Sequence, residues 1–153
     1  MVLILDSSAL FAMEDLPDRE CFCPPGVIDE LRKYKDRRLN LWGDMLRVSD
    51  CTTFSIDKVK ETAKKSGDLG RLSPTDITVI ALGLELKGTV LSNDFSIQNV
   101  CAIMDIDYRS VGTDSIKKIE KWNYQCIGCG KWFKEKSDEC PVCGSQMRSH
   151  RKR

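Results

Sequence analysis

Cysteine spacing near the C-terminus constrains this chain more than any other feature. Cys126-Ile-Gly-Cys129-Gly130 and Cys140-Pro-Val-Cys143-Gly144 repeat one pattern, Cys-x-x-Cys-Gly, with ten residues between Cys129 and Cys140. Each unit can set two thiolates on one tight turn, the glycine allowing the backbone to fold back. Two such turns facing each other make a tetrahedral sulfur cage, the environment of structural Zn²⁺. With thiolate at all four positions no coordination site stays open, so Cys126, Cys129, Cys140 and Cys143 read as a structural zinc site and any chemistry belongs to the preceding residues. Two disulfides or unrelated cysteines fit the repeated spacing less well.

A zinc module of roughly 30 residues leaves about 120 for a globular body, enough for a real core. The expected organisation is a body over 1–110, a linker over 111–121, a zinc ribbon over 122–147 and a basic tail over 148–153. No apolar run of about 18 residues predicts a membrane span. The segment Met1–Asp6 lacks the basic start of a signal peptide. With eight cysteines and no export signal, a reducing cytoplasm is the expected location. Cys21, Cys23, Cys51 and Cys101 lie in apolar stretches and read as small buried residues. Charge is uneven: residues 1–118 carry −3 and residues 119–153 carry +4. A mildly acidic body with a basic metal module suits a polyanion gripped by the tail and processed by the body.

Along the body, short apolar runs alternate with helical patterns. Strands are expected at Val2–Leu5, Cys21–Cys23, Cys51–Phe54, Thr89–Leu91 and near Ile106–Tyr108. Helices are expected over Ser7–Met13, Val27–Tyr34, roughly 37–48, Asp57–Ser66, Ile77–Leu86 and from Asp94 to about Met104. Ser73-Pro74-Thr75-Asp76 is a clear helix start, with a serine cap, proline at the first position and an acid three residues after the cap. The alternation predicts an α/β domain with a mainly parallel sheet.

In such sheets ligands bind beyond the carboxyl ends of the strands. Asp6 and Asp94 each follow a short apolar strand, and Asp76 and Glu30 sit in first turns of expected helices, which start on the same edge. Four carboxylates then converge on one cleft. They repel one another unless a cation neutralises them, and hard oxygen ligands select Mg²⁺ or Mn²⁺. Each acid has a plainer reading: Asp76 as a capping acid, Glu30 as a charge favouring the helix dipole. Asp29 can exchange roles with Glu30, which is preferred because Val27, Leu31 and Tyr34 share its side of the helix.

The ordered set resembles the PIN-domain nucleases. The set comprises Leu3-Ile-Leu-Asp6-Ser7-Ser8-Ala9-Leu10, Val27-Ile-Asp-Glu30-Leu31, Leu72-Ser-Pro-Thr-Asp76 with Ala81-Leu82, and Leu91-Ser-Asn-Asp94. Followed by a four-cysteine ribbon and approached through Lys117-Lys118 and Trp122, the chain resembles over nearly its whole length the NOB-type ribosomal-RNA endonucleases, in their short archaeal form. The resemblance implies a PIN-like three-layer domain ahead of the ribbon. It also implies a site of Asp6, Glu30, Asp76 and Asp94 holding Mn²⁺ or Mg²⁺, and cleavage of precursor small-subunit rRNA at its mature 3′ end on the pre-ribosomal small subunit. Ser8 and Ser92 would orient carboxylates from behind. Asn93 either assists or only turns the chain.

The ribbon and the basic end would hold RNA through Lys131, Trp132, Lys134, Arg148 and Arg151, since aromatic rings among cations suit stacking on unpaired bases. Trp132 and Phe133 serve equally as the ribbon's own apolar cover. Arg32 and Arg71 are further candidates for phosphate contact. Two other functions use the same residues: a toxin-like PIN ribonuclease, disfavoured by the ribbon, and a non-catalytic RNA-binding assembly factor, disfavoured by the complete set of acids. The single His150 and the lack of a G-x-x-x-x-G-K loop leave Ser-His-Asp chemistry and ATP hydrolysis unsupported.

Overall fold

The computed structural model describes residues 2–35, 37–112 and 122–151, with only the backbone of Arg38 and Arg151. The expected linker therefore lies, from residue 113 onward, outside the described residues, as do Lys152 and Arg153.

Five parallel strands form the body's sheet: β1 (Val2–Leu5), β2 (Glu20–Cys23), β3 (Leu46–Val48), β4 (Thr89–Leu91) and β5 (Tyr108–Arg109), in the order β3-β2-β1-β4-β5. The register sets Leu3 opposite both Cys21 and Thr89, and Ile4 opposite Phe22 and Val90. Helices α1 (Ser7–Ala12), α2 (Pro25–Lys33) and α3 (Arg38–Trp42) lie on the connections that run from β1 outward to β3. Helices α4 (Thr53–Ser66), α5 (Pro74–Leu86) and α6 (Phe95–Ile103) lie on the connections to β4 and β5, on the other side of β1. Because crossovers are right-handed, the change of direction sends the two helix sets to opposite faces, giving the three-layer α/β fold expected from sequence. The switch point falls between β1 and β4, whose carboxyl ends carry Asp6 and Ser92–Asp94.

Ile4, Leu5, Leu10, Val27, Leu31, Ile80, Leu82, Val90 and Ile97 are fully buried in one continuous core. Each such side chain stabilises the fold by about 1.5–3 kcal/mol through removal from water. Helix α5 is apolar nearly all round because it is covered on most sides, packing on β1 and β4 as well as on α4 and α6. Cys21, Cys23 and Cys101 are buried as expected and Cys51 half-buried; burial pushes the Cys23 and Cys101 thiols up to about 12.

Three local expectations change. Residues 53 and 54 begin α4 rather than end a strand, because the Thr52 hydroxyl accepts the Ser55 amide at 3.2 Å and caps the helix. The third strand is instead Leu46–Val48, and the helix expected over 37–48 stops at Trp42. Helix α2 begins at Pro25, so Glu30 falls in its second turn, not its first.

The C-terminal module is an antiparallel sheet of β6 (Trp122–Cys126) between β7 (Trp132–Phe133) and β8 (Met147–Arg151). Residues 148–151, read from sequence as the start of a basic tail, form most of β8. The module rests on the body through Tyr124, which is 1% exposed. Its hydroxyl donates to the Gly67 carbonyl and accepts from Arg71 Nε at 3.1 Å. The Arg71 guanidinium lies over the Trp122 ring, 3.8 Å from its centroid. Gly67 has φ +84° and ends α4, and a Cβ there would collide with the Trp122 carbonyl, so the docking needs glycine on both grounds. Arg71 thus holds the ribbon instead of being free for phosphate, correcting the expectation from sequence. Among the described residues no helix is long and apolar enough to cross a membrane.

Candidate functional site

Asp6 follows β1 directly and is buried. Its Oδ2 accepts hydrogen bonds from Ser8 Oγ at 2.7 Å and Ser92 Oγ at 2.8 Å. Each hydroxyl is itself held by a backbone amide of the β4–α6 loop: Ser8 Oγ accepts from Asn93 N and Ser92 Oγ from Asp94 N, both at 3.0 Å. The two strand ends are therefore tied through Asp6, and Ser8 and Ser92 stand behind the carboxylate. Asn93 has another task. Its Nδ2 donates to the Val111 carbonyl at 2.9 Å and its Oδ1 accepts the Val111 amide at 2.7 Å, which fastens the segment after β5.

Asp94 caps α6, its Oδ1 accepting the Ser96 amide at 2.8 Å and the Ile97 amide at 3.4 Å. Asp76 occupies the third position of α5 in a complete capping box: Oδ2 accepts the Ser73 amide at 2.8 Å, and Ser73 Oγ accepts the Asp76 amide at 3.1 Å. The capping reading of Asp76 is thus correct, and it does not compete with the other, because capping also fixes where the carboxylate sits. Burial foremost, then the charges of Asp6 and Asp94, push the Asp76 carboxyl up to about 6. Asp94 is raised in the same direction by burial and by Asp6. Three acids from three elements therefore feel one another's charge, which a bound cation would relieve; among the described residues their carboxylates do not form a ligand group as tight as the cysteine cluster below. Glu30 is half-buried on α2 while its neighbour Asp29 is exposed, which agrees with the preference for Glu30 as the inward acid. Glu30 is not among the charges that raise Asp76 or Asp94.

The four C-terminal cysteines form a second cluster. The four Sγ atoms of Cys126, Cys129, Cys140 and Cys143 lie within 4.8 Å of one another. The Cys126–Cys143 separation is 3.3 Å and the Cys129–Cys140 separation 3.7 Å. Tetrahedral Zn–S bonds of about 2.3 Å require sulfurs about 3.8 Å apart, so the quartet fits Zn²⁺. Cys126 Sγ accepts the amides of Gly128 and Cys129 at 3.3 Å, and Cys140 Sγ that of Val142 at 3.4 Å. Each turn closes at a glycine with positive φ, +75° at Gly130 and +77° at Gly144. The Ser145 hydroxyl and amide hold the Cys143 thiol down to about 6.

On the ribbon sheet, Gln125 pairs with Trp132 on one side and Arg148 on the other, so all three share a face. Tyr124, with Phe133 and Ser149 opposite it, has the other face, the one that docks on the body. Trp132 is 55% exposed and lies 5.0 Å from the His150 ring, with Lys131, Lys134 and Arg148 exposed nearby in sequence or register. Of Arg151 only the backbone is described. The ribbon's apolar anchor is Tyr124, which the sequence reading passed over. So was Asp68, which is fully buried: its Oδ2 accepts from Ser66 Oγ and Asn99 Nδ2, both at 2.6 Å, and burial raises its pKa. Its only sequence signal is an acid right after a helix-ending glycine.

Residues 3–86 match the family described as the PIN domain of ribonuclease. The chain is 36% identical to "Endoribonuclease Nob1" of Pyrococcus abyssi over 95% of this chain and 91% of that protein. It is 34% identical to "Ribonuclease VapC1" of Thermoplasma acidophilum over 98% of this chain and 78% of that protein. That second alignment extends across the residues of the ribbon. A third relative, the "20S-pre-rRNA D-site endonuclease nob1" of Schizosaccharomyces pombe, is 35% identical over 56% of this chain and 23% of that protein. Matching that family over more than half its length, and its archaeal Nob1 members over nearly all of it, the chain is a nuclease of the PIN-domain family.

Proposed function

We propose that the chain is a divalent-metal-dependent endoribonuclease that trims precursor small-subunit rRNA to its mature 3′ end, acting on the pre-ribosomal small subunit in the cytoplasm. The observation that carries the reading is that Asp6 and Asp94 lie at the carboxyl ends of the adjacent strands β1 and β4, while Asp76, pushed up to about 6 by burial first, also feels both of their charges. Such a group is poorly stable as three bare anions and is relieved by a cation. Asp6, Asp76, Asp94 and Glu30 would hold one or two Mn²⁺ or Mg²⁺ ions, which activate water for in-line attack on phosphorus and stabilise the leaving oxygen. The chain's own residues pre-organise that arrangement. Ser8 and Ser92 fix the Asp6 carboxylate through Oδ2 and leave Oδ1 without either hydroxyl. The capping box and the α6 cap do the same for Asp76 and Asp94. Holding the acids before metal arrives reduces the reorganisation needed during the reaction.

The Schizosaccharomyces relative is named a pre-rRNA endonuclease, and the Pyrococcus relative shares its Nob1 name, which supports rRNA as the substrate. Zn²⁺ on the four cysteines would shape the ribbon, whose outer face presents Trp132 and Arg148 to RNA, with Lys131 and Lys134 alongside. The full-length similarity to a protein named ribonuclease VapC1 favours a second reading, a ribonuclease of tRNA or mRNA with the same acid site. A substrate panel separates them. Zinc-loaded protein with Mn²⁺ is offered an RNA spanning the small-subunit rRNA 3′ end, a bulk tRNA pool and an unstructured mRNA. One cut at the mature end, leaving 5′-phosphate and 3′-hydroxyl products, supports the rRNA reading; preferential loss of tRNA or mRNA rejects it.

A further inference from the structure

Two large rings stand out of the core on the helices that carry Ser8 and Glu30. Phe11 on α1 is 40% exposed and Tyr34, the residue that ends α2, is 66% exposed. They touch edge-to-face, centroids 5.6 Å apart with planes at 87°. Phe11 lies three residues after Ser8, and Tyr34 four after Glu30. On a helix these offsets place side chains on one face, with Cβ atoms about 5–6 Å apart. Each ring is therefore within about one helical turn of a residue of the proposed site.

The surroundings are cationic. Arg32, Lys33, Lys35 and Arg37 flank Tyr34 and are all exposed. Cations at the end of α2 suit its dipole, which accounts for Arg32 and Lys33. Helix electrostatics do not account for Lys35 and Arg37, which lie beyond the helix, nor for two aromatic rings left in water. The edge-to-face contact explains why the rings meet but not why both remain exposed. Aromatic faces set among Lys and Arg match a single nucleic-acid strand, whose bases stack on rings while its phosphates meet the cations.

Resting on the nuclease reading above, we propose that Phe11 and Tyr34, with the exposed Arg32, Lys33, Lys35 and Arg37 adjacent to Tyr34 in sequence, form a stacking platform on the nuclease body for an unpaired base beside the scissile phosphate. The Tyr34 ring receives the base and Phe11 braces it from the edge. This platform is separate from the ribbon. It makes the body select unpaired RNA at the cut itself, while the ribbon grips elsewhere on the strand. Tyr34 and Phe11 are positioning residues that set where the strand lies relative to the acids.

The test uses the full zinc-loaded chain carrying Asp6→Asn, which keeps the RNA intact, and 2-aminopurine placed in turn at each unpaired position around the cut. The expected result is quenching at one or two adjacent positions. Tyr34→Ala should abolish it and weaken binding by about 10- to 100-fold, as removal of one stacked base implies. Tyr34→Phe should retain both signals. In the cleaving protein, Tyr34→Ala should raise KM while kcat changes little. Because Tyr34 is mostly exposed, the variants are expected to fold, which an unchanged melting temperature checks. No quenching at any position, or quenching and affinity that survive Tyr34→Ala, overturns the platform. The binding arm decides this even if wild type cuts no RNA, whereas normal cleavage with an unchanged KM in Tyr34→Ala removes the platform and leaves the nuclease standing.

Discussion

Replacing Tyr124 by phenylalanine removes one oxygen from the contact between ribbon and body. In the wild type that oxygen gives its hydrogen to the Gly67 carbonyl and accepts from Arg71 Nε at 3.1 Å, with the phenol only 1% exposed. The ring fills the same space in the variant, so no cavity opens. What changes is that a buried carbonyl and one guanidinium donor lose their partner. A buried polar group left unsatisfied costs about 1–3 kcal/mol. Arg71 keeps its place over Trp122 and keeps other donors free to find water, so most of the loss comes from Gly67, and a total near 2 kcal/mol is expected. For a chain of 153 residues that is a fall in melting temperature of about 6 °C. Urea unfolding of the zinc-loaded protein, followed by tryptophan emission, reads both stability and the state of Trp122. Arg71→Ala should remove much of the same interaction, so its further effect in the Tyr124→Phe background should be smaller than in wild type. A Tyr124→Phe change below about 0.5 kcal/mol, or strict additivity with Arg71→Ala, would refute the docking account.

Three further outcomes follow from the site. Asp76→Asn should stabilise the metal-free protein at pH 7.5, because an Asn still accepts the Ser73 amide but carries no charge. The sign comes from the raised carboxyl: between 3.8 and about 6 the folded state binds more protons than the unfolded, so the wild-type aspartate opposes folding most above pH 6. The advantage of Asp76→Asn in melting temperature should therefore shrink towards pH 5, and a variant less stable than wild type at pH 7.5 would contradict it. Cys126→Ser, or a strong chelator, should unfold the ribbon and red-shift Trp122 emission while the body's core transition persists, since structural zinc contributes about 10–16 kcal/mol that is confined to the module; differential scanning calorimetry separates the two transitions. Ser92→Ala strips one partner from Asp6 Oδ2 and one from the Asp94 amide, so it should lower stability by about 1–3 kcal/mol and slow cleavage, both read on one preparation.

The cysteine quartet, the parallel α/β fold and the order of the acids could be read from sequence because each is a local pattern. Cys-x-x-Cys-Gly dictates its own turn, Ser73-Pro74-Thr75-Asp76 its own helix start, and a strand that ends in Asp6 or Ser92-Asn93-Asp94 its own edge of the sheet. Errors arose where a distant partner decides between close alternatives. Thr52-Thr53-Phe54 has good strand propensity, yet the Thr52 amide donates to Glu85 of α5 while its hydroxyl caps a helix that starts there. Leu46–Val48 followed a helical pattern, but parallel pairing with Cys21–Cys23 made it a strand. Tyr124, Gly67 and Arg71 lie far apart in sequence and acquire a shared role only when the ribbon docks. Asp68 was invisible for the same reason, since Asn99, one of its partners, comes from another helix.

The most direct measurement is cleavage of a single-stranded RNA spanning the small-subunit rRNA 3′ end, by wild type and by Asp6→Asn, with Mn²⁺ and then with EDTA. Asp6 sits at the centre of the hydrogen-bonded acid site, and Asn at that position can still accept from Ser8 and Ser92. The account predicts metal-dependent cutting by wild type, none with EDTA, and none by a folded Asp6→Asn protein that binds the RNA as well as wild type does. Cutting that survives Asp6→Asn, or that proceeds in EDTA, would contradict the assignment of these acids as the nuclease site.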